Sequence, residues 1–143
     1  MATLVLDASV AAKWFVNEEH SEAADRLRRG ADTFVAPDIF VAELGNVVRT
    51  WCVDGVISPG TAQALVRQFG ELEVDLVASL ELLRSALDLA IAHRRSIYDS
   101  LYVALALREG CPLVTADLRL HNSLQASLPG TTRWIGDLPG ASA

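Results

Sequence analysis

Residues 3–7 read TLVLD, a short apolar run that an aspartate follows directly. An apolar run of this length, without alternating polar residues, is typical of a parallel strand that is buried on both faces. A helix is predicted to follow the strand, because Val10, Ala11, Trp14 and Phe15 fall on one stripe at helical spacing. The chain therefore begins with a strand and a helix, the first half of a β-α-β unit.

The same alternation of strand and helix continues along the rest of the chain. Further strands are predicted at residues 33–36, 73–77, 112–115 and 131–135. Helices are predicted between them, at residues 21–29, 38–53, from 58–59, from 79, 96–109 and 118–124. Ser58, Ser79 and Ser96 are the expected N-caps of three of these helices. In the helix from residue 79, one face carries Leu80, Leu83, Leu87 and Ala90. This pattern predicts an α/β fold with a parallel sheet covered by helices on both faces.

Length and composition favour one domain. The chain has 143 residues, of which 51% are hydrophobic. We expect a domain at residues 1–137 and a flexible C-terminal tail at 138–143, where proline, glycine and serine cluster. Cys52 and Cys111 have no metal-ligand or redox spacing, and we expect both to be small buried side chains in a reducing compartment.

The sequence shows no targeting signal, and its net charge limits which partners the protein can bind. No apolar run approaches the ~18 residues that a membrane span needs, and the N-terminus lacks the features of a signal peptide. We therefore expect a cytoplasmic protein. The net charge of −6 argues against nucleic-acid binding by phosphate contacts alone. Bound metal would weaken that objection, since two Mg²⁺ would bring the charge to about −2.

Two aspartates stand at the ends of predicted strands. Asp7 directly follows the first strand, and Asp117 follows the strand at 112–115. In open parallel sheets, ligands bind beyond the carboxyl ends of strands, where the strand order reverses. Either aspartate could instead be an ordinary helix N-cap, a position that aspartate favours. Both roles stay open from the sequence.

Two further acids lie on helix stripes that face the core. Glu43 shares a stripe with Ile39 and Val47, so it points toward the interior unless the helix rolls enough for it to reach water. Asp99 lies near the start of the apolar helix at 96–109. Its spacing from Ser96 also fits a capping box, a role that can accompany a functional one.

Taken together, the four acids predict one acidic site that holds a metal ion. Unneutralised carboxylates ~5 Å apart repel by roughly 3 kcal/mol, and a hard divalent cation removes that cost. All-oxygen ligands favour Mg²⁺, with Mn²⁺ as a substitute, and carboxylate-held Mg²⁺ suits phosphoryl transfer. Ser9 and Thr115 lie two residues from an acid and could support it by hydrogen bonds, or be ordinary helix-start residues.

Basic residues and histidines add little to this site. Lys13, Arg94, Arg95 and Arg119 could contact RNA phosphates, although a solvated surface role is the better expectation for them. The chain has only three histidines, and none has ligand spacing to another. A histidine-pair ribonuclease is therefore disfavoured.

Two other acidic, Mg²⁺-binding classes fit poorly. A haloacid-dehalogenase-like phosphatase needs a second aspartate two residues after the first, where this chain has Ser9. A receiver domain needs a late lysine, and the only lysine is Lys13. The remaining rival is a non-catalytic module of the same fold that binds RNA or protein without cutting it.

Four stretches in this order resemble the PIN-domain family, and more narrowly the VapC-type toxins of toxin–antitoxin pairs. They are Leu6-Asp7-Ala8-Ser9-Val10 with Lys13-Trp14-Phe15, Ala36-Pro37-Asp38 leading to Ala42-Glu43, Ile97-Tyr98-Asp99-Ser100-Leu101-Tyr102, and Leu113-Val114-Thr115-Ala116-Asp117. Each stretch alone is weak evidence for the family, but four stretches in the family's order and spacing are specific evidence for it. The resemblance covers the chain to about residue 135.

The resemblance implies a fold, a reaction and partners. It implies a three-layer α/β/α fold with a five-stranded parallel sheet in the order 3-2-1-4-5. It places the family's four catalytic and metal-binding acids on Asp7, Glu43, Asp99 and Asp117, with Asp7 and Asp99 first among the metal ligands. It also implies cleavage of single-stranded or structured RNA by metal-activated water, homodimerisation and inhibition by a cognate antitoxin.

One hairpin of predicted helices, between residues 38 and 70, is rich in apolar side chains, which include Trp51, Val56, Leu65, Val66 and Phe69. A large apolar surface at one end of a small domain usually marks an interface. These residues could also simply close the core between the two helices. The resemblance favours an interface.

Overall fold

The computed structural model describes residues 1–142, and five strands alternate with seven α-helices in them. The strands are β1 (Thr3–Leu6), β2 (Thr33–Pro37), β3 (Val74–Val77), β4 (Leu113–Thr115) and β5 (Thr132–Trp134). The helices are α1 (Ala8–Ala11), α2 (Ser21–Arg29), α3 (Ile39–Val53), α4 (Pro59–Phe69), α5 (Ser79–His93), α6 (Ile97–Glu109) and α7 (Leu118–Leu124).

The five strands form one parallel sheet in the order β3-β2-β1-β4-β5, as expected. The chain moves outward from β1 to β3 and then returns to pair β4 with the other side of β1. Because crossovers between parallel strands are right-handed, this reversal places α1–α4 on one face and α5–α7 on the other. The carboxyl ends of β1 and β4 therefore lie beside each other at the switch point.

Apolar side chains fill the layers between sheet and helices. The strands β1 and β4 are almost wholly buried, and so is most of α6, from Ser100 to Ala106. Gly110 ends α6 with φ +64, a left-handed conformation that favours glycine. Burial ends with Ala106, since Leu107 in the last turn is 46% exposed.

Two local expectations need correction. The first helix is shorter than its apolar stripe indicates, because α1 ends at Ala11 and a 3-10 turn follows over Ala12–Trp14. Ser79 lies inside the first turn of α5, and its hydroxyl donates to Asp38 Oδ1 instead of capping the helix.

The C-terminal residues return to the body of the domain. The Ser142 amide donates to His20 Nδ1 (3.0 Å), and the His20 amide donates to Ser142 Oγ (3.1 Å). The tail predicted at 138–143 thus has contacts as far as Ser142, and Ala143 lies outside the described residues. The domain boundary and the flexibility of the tail stay predictions. No helix within residues 1–142 is both long and apolar enough to cross a membrane.

Candidate active site

The two strand-end aspartates are joined through Thr115 at the switch point of the sheet. Thr115 Oγ1 donates to Asp7 Oδ2 (2.7 Å), and it accepts from the Asp117 amide (3.0 Å). Each aspartate also caps a helix, since Asp7 Oδ1 accepts from the Ser9 amide (3.2 Å) and Asp117 Oδ1 accepts from the Leu120 amide (3.0 Å). The capping role and a place in the cluster therefore coexist.

Ser9 links the same two segments from the other side. Its Oγ accepts a hydrogen bond from the Ala116 amide at 3.1 Å, which ties the start of α1 to the turn after β4. Ser9 and Thr115 were predicted to support the acids by hydrogen bonds. The Thr115 hydroxyl makes such a contact with the Asp7 side chain, whereas the Ser9 hydroxyl contacts the backbone beside Asp117.

Glu43 reaches the cluster from the middle of α3. Its carboxylate is partly buried, and Oε1 is inaccessible and has no hydrogen-bond partner among the described residues. Burial raises the Glu43 pKa to about 7, and the charges of Asp7 and Asp99 add to this increase. A carboxylate without partners is costly to bury while it is charged. Glu43 therefore needs a proton or a cation.

Asp99 enters from the first turn of α6. Ser96 Oγ accepts from the Asp99 amide (3.0 Å), the first half of the predicted capping box. The Asp99 carboxylate itself pairs with Arg95 Nη2 at 2.9 Å. The side chain is thus turned from the backbone of its helix toward solvent and the other acids.

All four predicted acids line one cleft of about 340 Å³, together with Ala8, Ser9, Ala42, Asn46 and Val47. A larger cavity of about 690 Å³ lies around the opposite ends of β2 and β3, between Trp14 and Glu73. Size alone would favour that cavity as the binding site. We place the candidate site in the smaller cleft, because within residues 1–142 the one buried carboxylate oxygen without a partner, Glu43 Oε1, lies there.

The electrostatics of the cleft favour bound positive charge. Burial raises the pKa of Asp7, and the nearby Asp99 charge adds to the increase, although hydrogen bonds from Thr115 and Ser9 oppose it. Asp7 and Glu43 therefore both resist ionisation when no cation is bound. A divalent ion would remove this cost, and the available donors are all hard oxygens.

The four acids do not converge into a closed cage. Within residues 1–142, no group of three or more acidic, histidine or cysteine side chains is arranged to hold a metal ion unaided. Magnesium typically keeps several waters and uses only one or two protein carboxylates, so an open arrangement suits it. The unpartnered Glu43 Oε1 and the raised pKa of Asp7 are both what a site for such an ion would show without the ion.

Tyr102 also belongs to the cluster, although sequence reasoning did not identify it. It is only 2% exposed, its hydroxyl lies beside the Glu43 carboxylate, and that hydroxyl has no hydrogen-bond partner of good geometry. Burial and the charges of Asp7 and Glu43 raise the Tyr102 pKa, so the phenol stays protonated. Inside an apolar helix, a tyrosine resembles any other core residue, so nothing in the sequence pattern marks Tyr102 as a site residue.

The basic side chains near the site differ in whether they already have a partner within the protein. Lys13 is occupied elsewhere, since its Nζ donates to the Glu19 carbonyl (2.7 Å) and to Glu18 (3.3 Å). Arg95 pairs with an acid of the cluster, as described above. Arg94 and Arg119 are exposed. Of the four basic residues considered as phosphate contacts, Arg94 and Arg119 are free to contact a ligand or solvent.

The hairpin of α3 and α4 has its large apolar residues turned inward. Leu65 and Phe69 are buried, and the Phe69 ring packs edge-on against Phe15 at 5.1 Å. Val56 and Val66 stay exposed, by 59% and 47%. The alternative considered above, in which these residues close the core, therefore accounts for the largest of them.

Comparisons with known proteins agree on one family. The family described as PIN domain matches residues 4–123. The chain is 31% identical to Ribonuclease VapC3 of Pyrobaculum aerophilum over 125 residues, covering 86% of this chain and 95% of that protein. It is 33% identical to Ribonuclease VapC12 of Mycobacterium tuberculosis over 120 residues, covering 84% of this chain and 91% of that protein.

Solved structures share the fold. The crystal structure of VapC20 of Mycobacterium tuberculosis, described as a sarcin-ricin loop cleaving toxin, aligns with a TM-score of 0.65 at 15% identity and covers 84% of this chain and 94% of that one. VapBC2 of Rickettsia felis, solved with a DNA fragment from its promoter, aligns at 0.64 with 12% identity, covering 92% and 98%. At these identities the likeness concerns the fold alone.

Proposed function

This chain belongs to the PIN-domain family, and from that premise we propose that it is a toxin ribonuclease of a toxin–antitoxin pair. The observation that carries the proposal is the single cleft that gathers Asp7, Glu43, Asp99 and Asp117. The similarity to two proteins named as VapC ribonucleases supports RNA as the substrate.

The acids of the cleft are proposed to hold Mg²⁺, with Asp7 and Asp99 as first ligands and Glu43 and Asp117 beside them. When bound, the ion supplies positive charge that stabilises a reacting phosphate and makes a water more nucleophilic. Thr115 and Ser9 keep the Asp7 carboxylate in position by the hydrogen bonds described above. Mn²⁺ is proposed to substitute.

A cognate antitoxin and a second copy of the chain are the proposed protein partners. Structural likeness to VapBC2 of Rickettsia felis and to FitAcB of Neisseria gonorrhoeae, at a TM-score of 0.56, supports a toxin fold that pairs with another chain. The proposed site of action is the cytoplasm, where RNA is available. The proposed homodimer rests on the family resemblance.

The experiment is cleavage-site mapping on total RNA with Mg²⁺, comparing wild type with Asp7→Asn and Asp99→Asn. We expect discrete cuts by wild type and none above background by either variant. Asp75→Asn is the matched control, because Asp75 is exposed on β3, away from the cleft, and it should cut like wild type. Both site variants should fold, since each removes one of several crowded like charges.

The outcomes separate this proposal from a non-catalytic binding module. Cleavage by Asp7→Asn at the wild-type rate would exclude the acid cluster as the active site. Cleavage by wild type that persists in excess EDTA would exclude metal dependence. RNA binding by wild type without any cut would favour the binding module.

A further inference from the structure

Two inaccessible polar atoms lie near each other beside the acid cleft, and neither has a hydrogen-bond partner. They are Glu43 Oε1 and the Tyr102 hydroxyl. Within residues 1–142 only one other inaccessible side-chain atom lacks a partner, Arg95 Nε, and Arg95 pairs with Asp99 of the same cluster. Buried polar atoms without partners are rare in folded proteins, and each needs an explanation. Their concentration in one place indicates that the site is complete only with a ligand.

The side chains of Glu43 and Tyr102 come from opposite faces of the sheet. Glu43 lies on α3 and Tyr102 on α6, and they meet beside Ala8 at the start of α1. The Tyr102 hydroxyl lies near the Glu43 carboxylate and near the Ala8 backbone amide, although neither contact has good hydrogen-bond geometry. A small shift of the phenol would let its hydroxyl accept from the amide and donate to the carboxylate. One hydroxyl can form both bonds, because it carries one donor and two acceptor lone pairs.

Seen from the cleft, Tyr102 lies behind Glu43. Glu43 is partly exposed and lines the cleft, whereas Tyr102 is only 2% exposed and lies outside the set of residues that line it. A ligand in the cleft therefore contacts the glutamate and not the phenol. This position suits a residue that acts through Glu43.

Packing alone does not account for the Tyr102 hydroxyl. The neighbouring Leu101 and Val103 are equally buried and wholly apolar. A phenylalanine would fill the same space without burying a hydroxyl, and an unpartnered buried hydroxyl costs free energy. The hydroxyl therefore needs a contact that packing does not provide, and the Glu43 carboxylate can provide it.

We infer that Tyr102 is a positioning residue that holds the Glu43 carboxylate toward a bound metal ion. The phenol donates to the buried oxygen Oε1 and leaves the other oxygen for the ion. Outer-shell donors of this kind fix the orientation of metal ligands. This inference rests on the proposed metal-holding role of Glu43.

A neutral donor suits this role better than a cationic side chain would. An unperturbed phenol has a pKa of about 10, and burial beside acidic groups favours its neutral form further. A neutral phenol can stabilise the carboxylate by a hydrogen bond and leave its negative charge for the ion. A guanidinium or an ammonium in the same place would compete with the ion for that charge.

The first test is Mn²⁺ binding by calorimetry to Tyr102→Phe, which keeps the ring and removes only the hydroxyl. We expect an affinity about tenfold weaker than that of wild type. The thermal midpoint of the metal-free protein should change little, because the volume of the buried ring is preserved. A large fall of the midpoint together with unchanged affinity would identify Tyr102 as a packing residue and overturn the inference.

Two matched controls lie on the same helix. Tyr98 lies one turn earlier on α6 and is 61% exposed, so Tyr98→Phe should bind Mn²⁺ like wild type. Val103 is 3% exposed and has no polar atom in its side chain. Val103→Ala should lower the thermal midpoint, because it leaves a cavity, but it should keep the wild-type affinity. If Val103→Ala weakened binding as much as Tyr102→Phe, metal affinity would only report the packing of α6, and the inference would fail.

The second test follows the phenol itself by ultraviolet difference absorbance at saturating Mg²⁺. The chain has two tyrosines, Tyr98 and Tyr102. If Tyr102 donates to the metal-bound carboxylate, adding Mg²⁺ should shift a tyrosine band in wild type and in Tyr98→Phe. The shift should be absent in Tyr102→Phe. An identical difference spectrum in all three proteins would show that the phenol does not sense the ion.

Failure of the proposed function and failure of this inference give different results. Wild-type protein that binds neither Mn²⁺ nor Mg²⁺ would contradict the metal site of the proposed function. Wild-type protein that binds Mn²⁺, with the same affinity in Tyr102→Phe, would overturn only the role of Tyr102.

Discussion

At the scale of single residues, the acids of the cleft lower the stability of the metal-free fold. Burial and mutual repulsion raise the pKa of both Asp7 and Glu43, so in the metal-free protein their charged forms oppose folding. Such conflicts between local stability and charge concentrate at functional sites. The cost should be measurable as a pH dependence of stability.

The first prediction concerns Glu43→Gln in EDTA. The folded-state pKa of about 7 lies above the ordinary glutamate pKa of 4.5, so ionisation destabilises the fold as the pH rises through this window. Glutamine cannot ionise, and the variant should therefore be more stable than wild type at pH 8, by about 1 kcal/mol after allowance for solvent screening. The difference should disappear near pH 4.5.

Chemical denaturation across that pH range measures the effect. Glu81→Gln is the control, because Glu81 is exposed on α5. A Glu43→Gln variant less stable than wild type at pH 8 would contradict the prediction. Added Mg²⁺ should reverse the order, since it binds the wild-type carboxylates and stabilises the folded state.

The acids could be predicted from the sequence because their positions are unusual, but Tyr102 could not. Asp7 and Asp117 follow strands, and Glu43 and Asp99 interrupt apolar stripes, so each conflicts with a simple packing role. Tyr102 conflicts with nothing, since tyrosine is common in buried helices. Its relation to Glu43 depends on where α3 and α6, on opposite faces of the sheet, place these two side chains, which no sequence spacing encodes.

At the scale of elements, the first turn of α6 determines where Asp99 points. Ser96 caps this turn by accepting from the Asp99 amide. Removing an N-cap costs about 1 kcal/mol and frays the first helical turn. The cap of α6 should therefore matter for the site as well as for stability.

The second prediction compares Ser96→Ala with Ser58→Ala, which removes the equivalent cap of α4. Both should lower the thermal midpoint by about 2–4 °C. Only Ser96→Ala should weaken Mn²⁺ binding and RNA cleavage, because α4 contributes no residue to the cleft. Equal effects of the two variants on cleavage would mean that the turn does not position Asp99.

Helix positions follow from sequence spacing more readily than helix orientation does. Ser58 and Ser96 were expected as caps, and the structure confirms both. The orientation of α5 was not predictable, because apolar residues occupy two of its sides and either could face α6. In the structure Leu82 and Ala86 are buried, while Leu80, Leu83 and Leu87 are exposed on the other side of the helix.

At the scale of the whole molecule, the acid cleft is open on the surface and unbalanced in charge. A protein inhibitor that covers it would have to compensate this negative charge. Arginine is favoured for this role, since its planar guanidinium forms two parallel hydrogen bonds with a carboxylate. We therefore expect the antitoxin to insert an arginine or a lysine toward Asp7, Glu43, Asp99 and Asp117.

The third prediction is tested by co-expression with an antitoxin that lacks this basic residue. Growth protection should weaken by more than the loss of a surface ion pair would cause, because the contact is desolvated. Full protection by the truncated antitoxin, in a complex without nuclease activity, would show that inhibition acts through another surface. The exposed edge of the α3–α4 hairpin would then be the next surface to examine.

The alternation of strands and helices predicted a parallel sheet but not its strand order. Many orders satisfy the same alternation, and only the family resemblance singled out 3-2-1-4-5. That order matters here because it puts β1 beside β4. Without it, the positions of Asp7 and Asp117 at two strand ends would not have implied that they meet.

The hydrogen bond between Thr115 and Asp7 spans 108 positions of the chain, and this separation has a consequence during synthesis. Contacts between distant segments form late in folding, because the intervening chain must first be ordered. A growing chain that has not yet extended past β4 cannot assemble the cleft, however well its first half folds. We therefore expect no complete acid cleft on a translating ribosome until β4 has been synthesised.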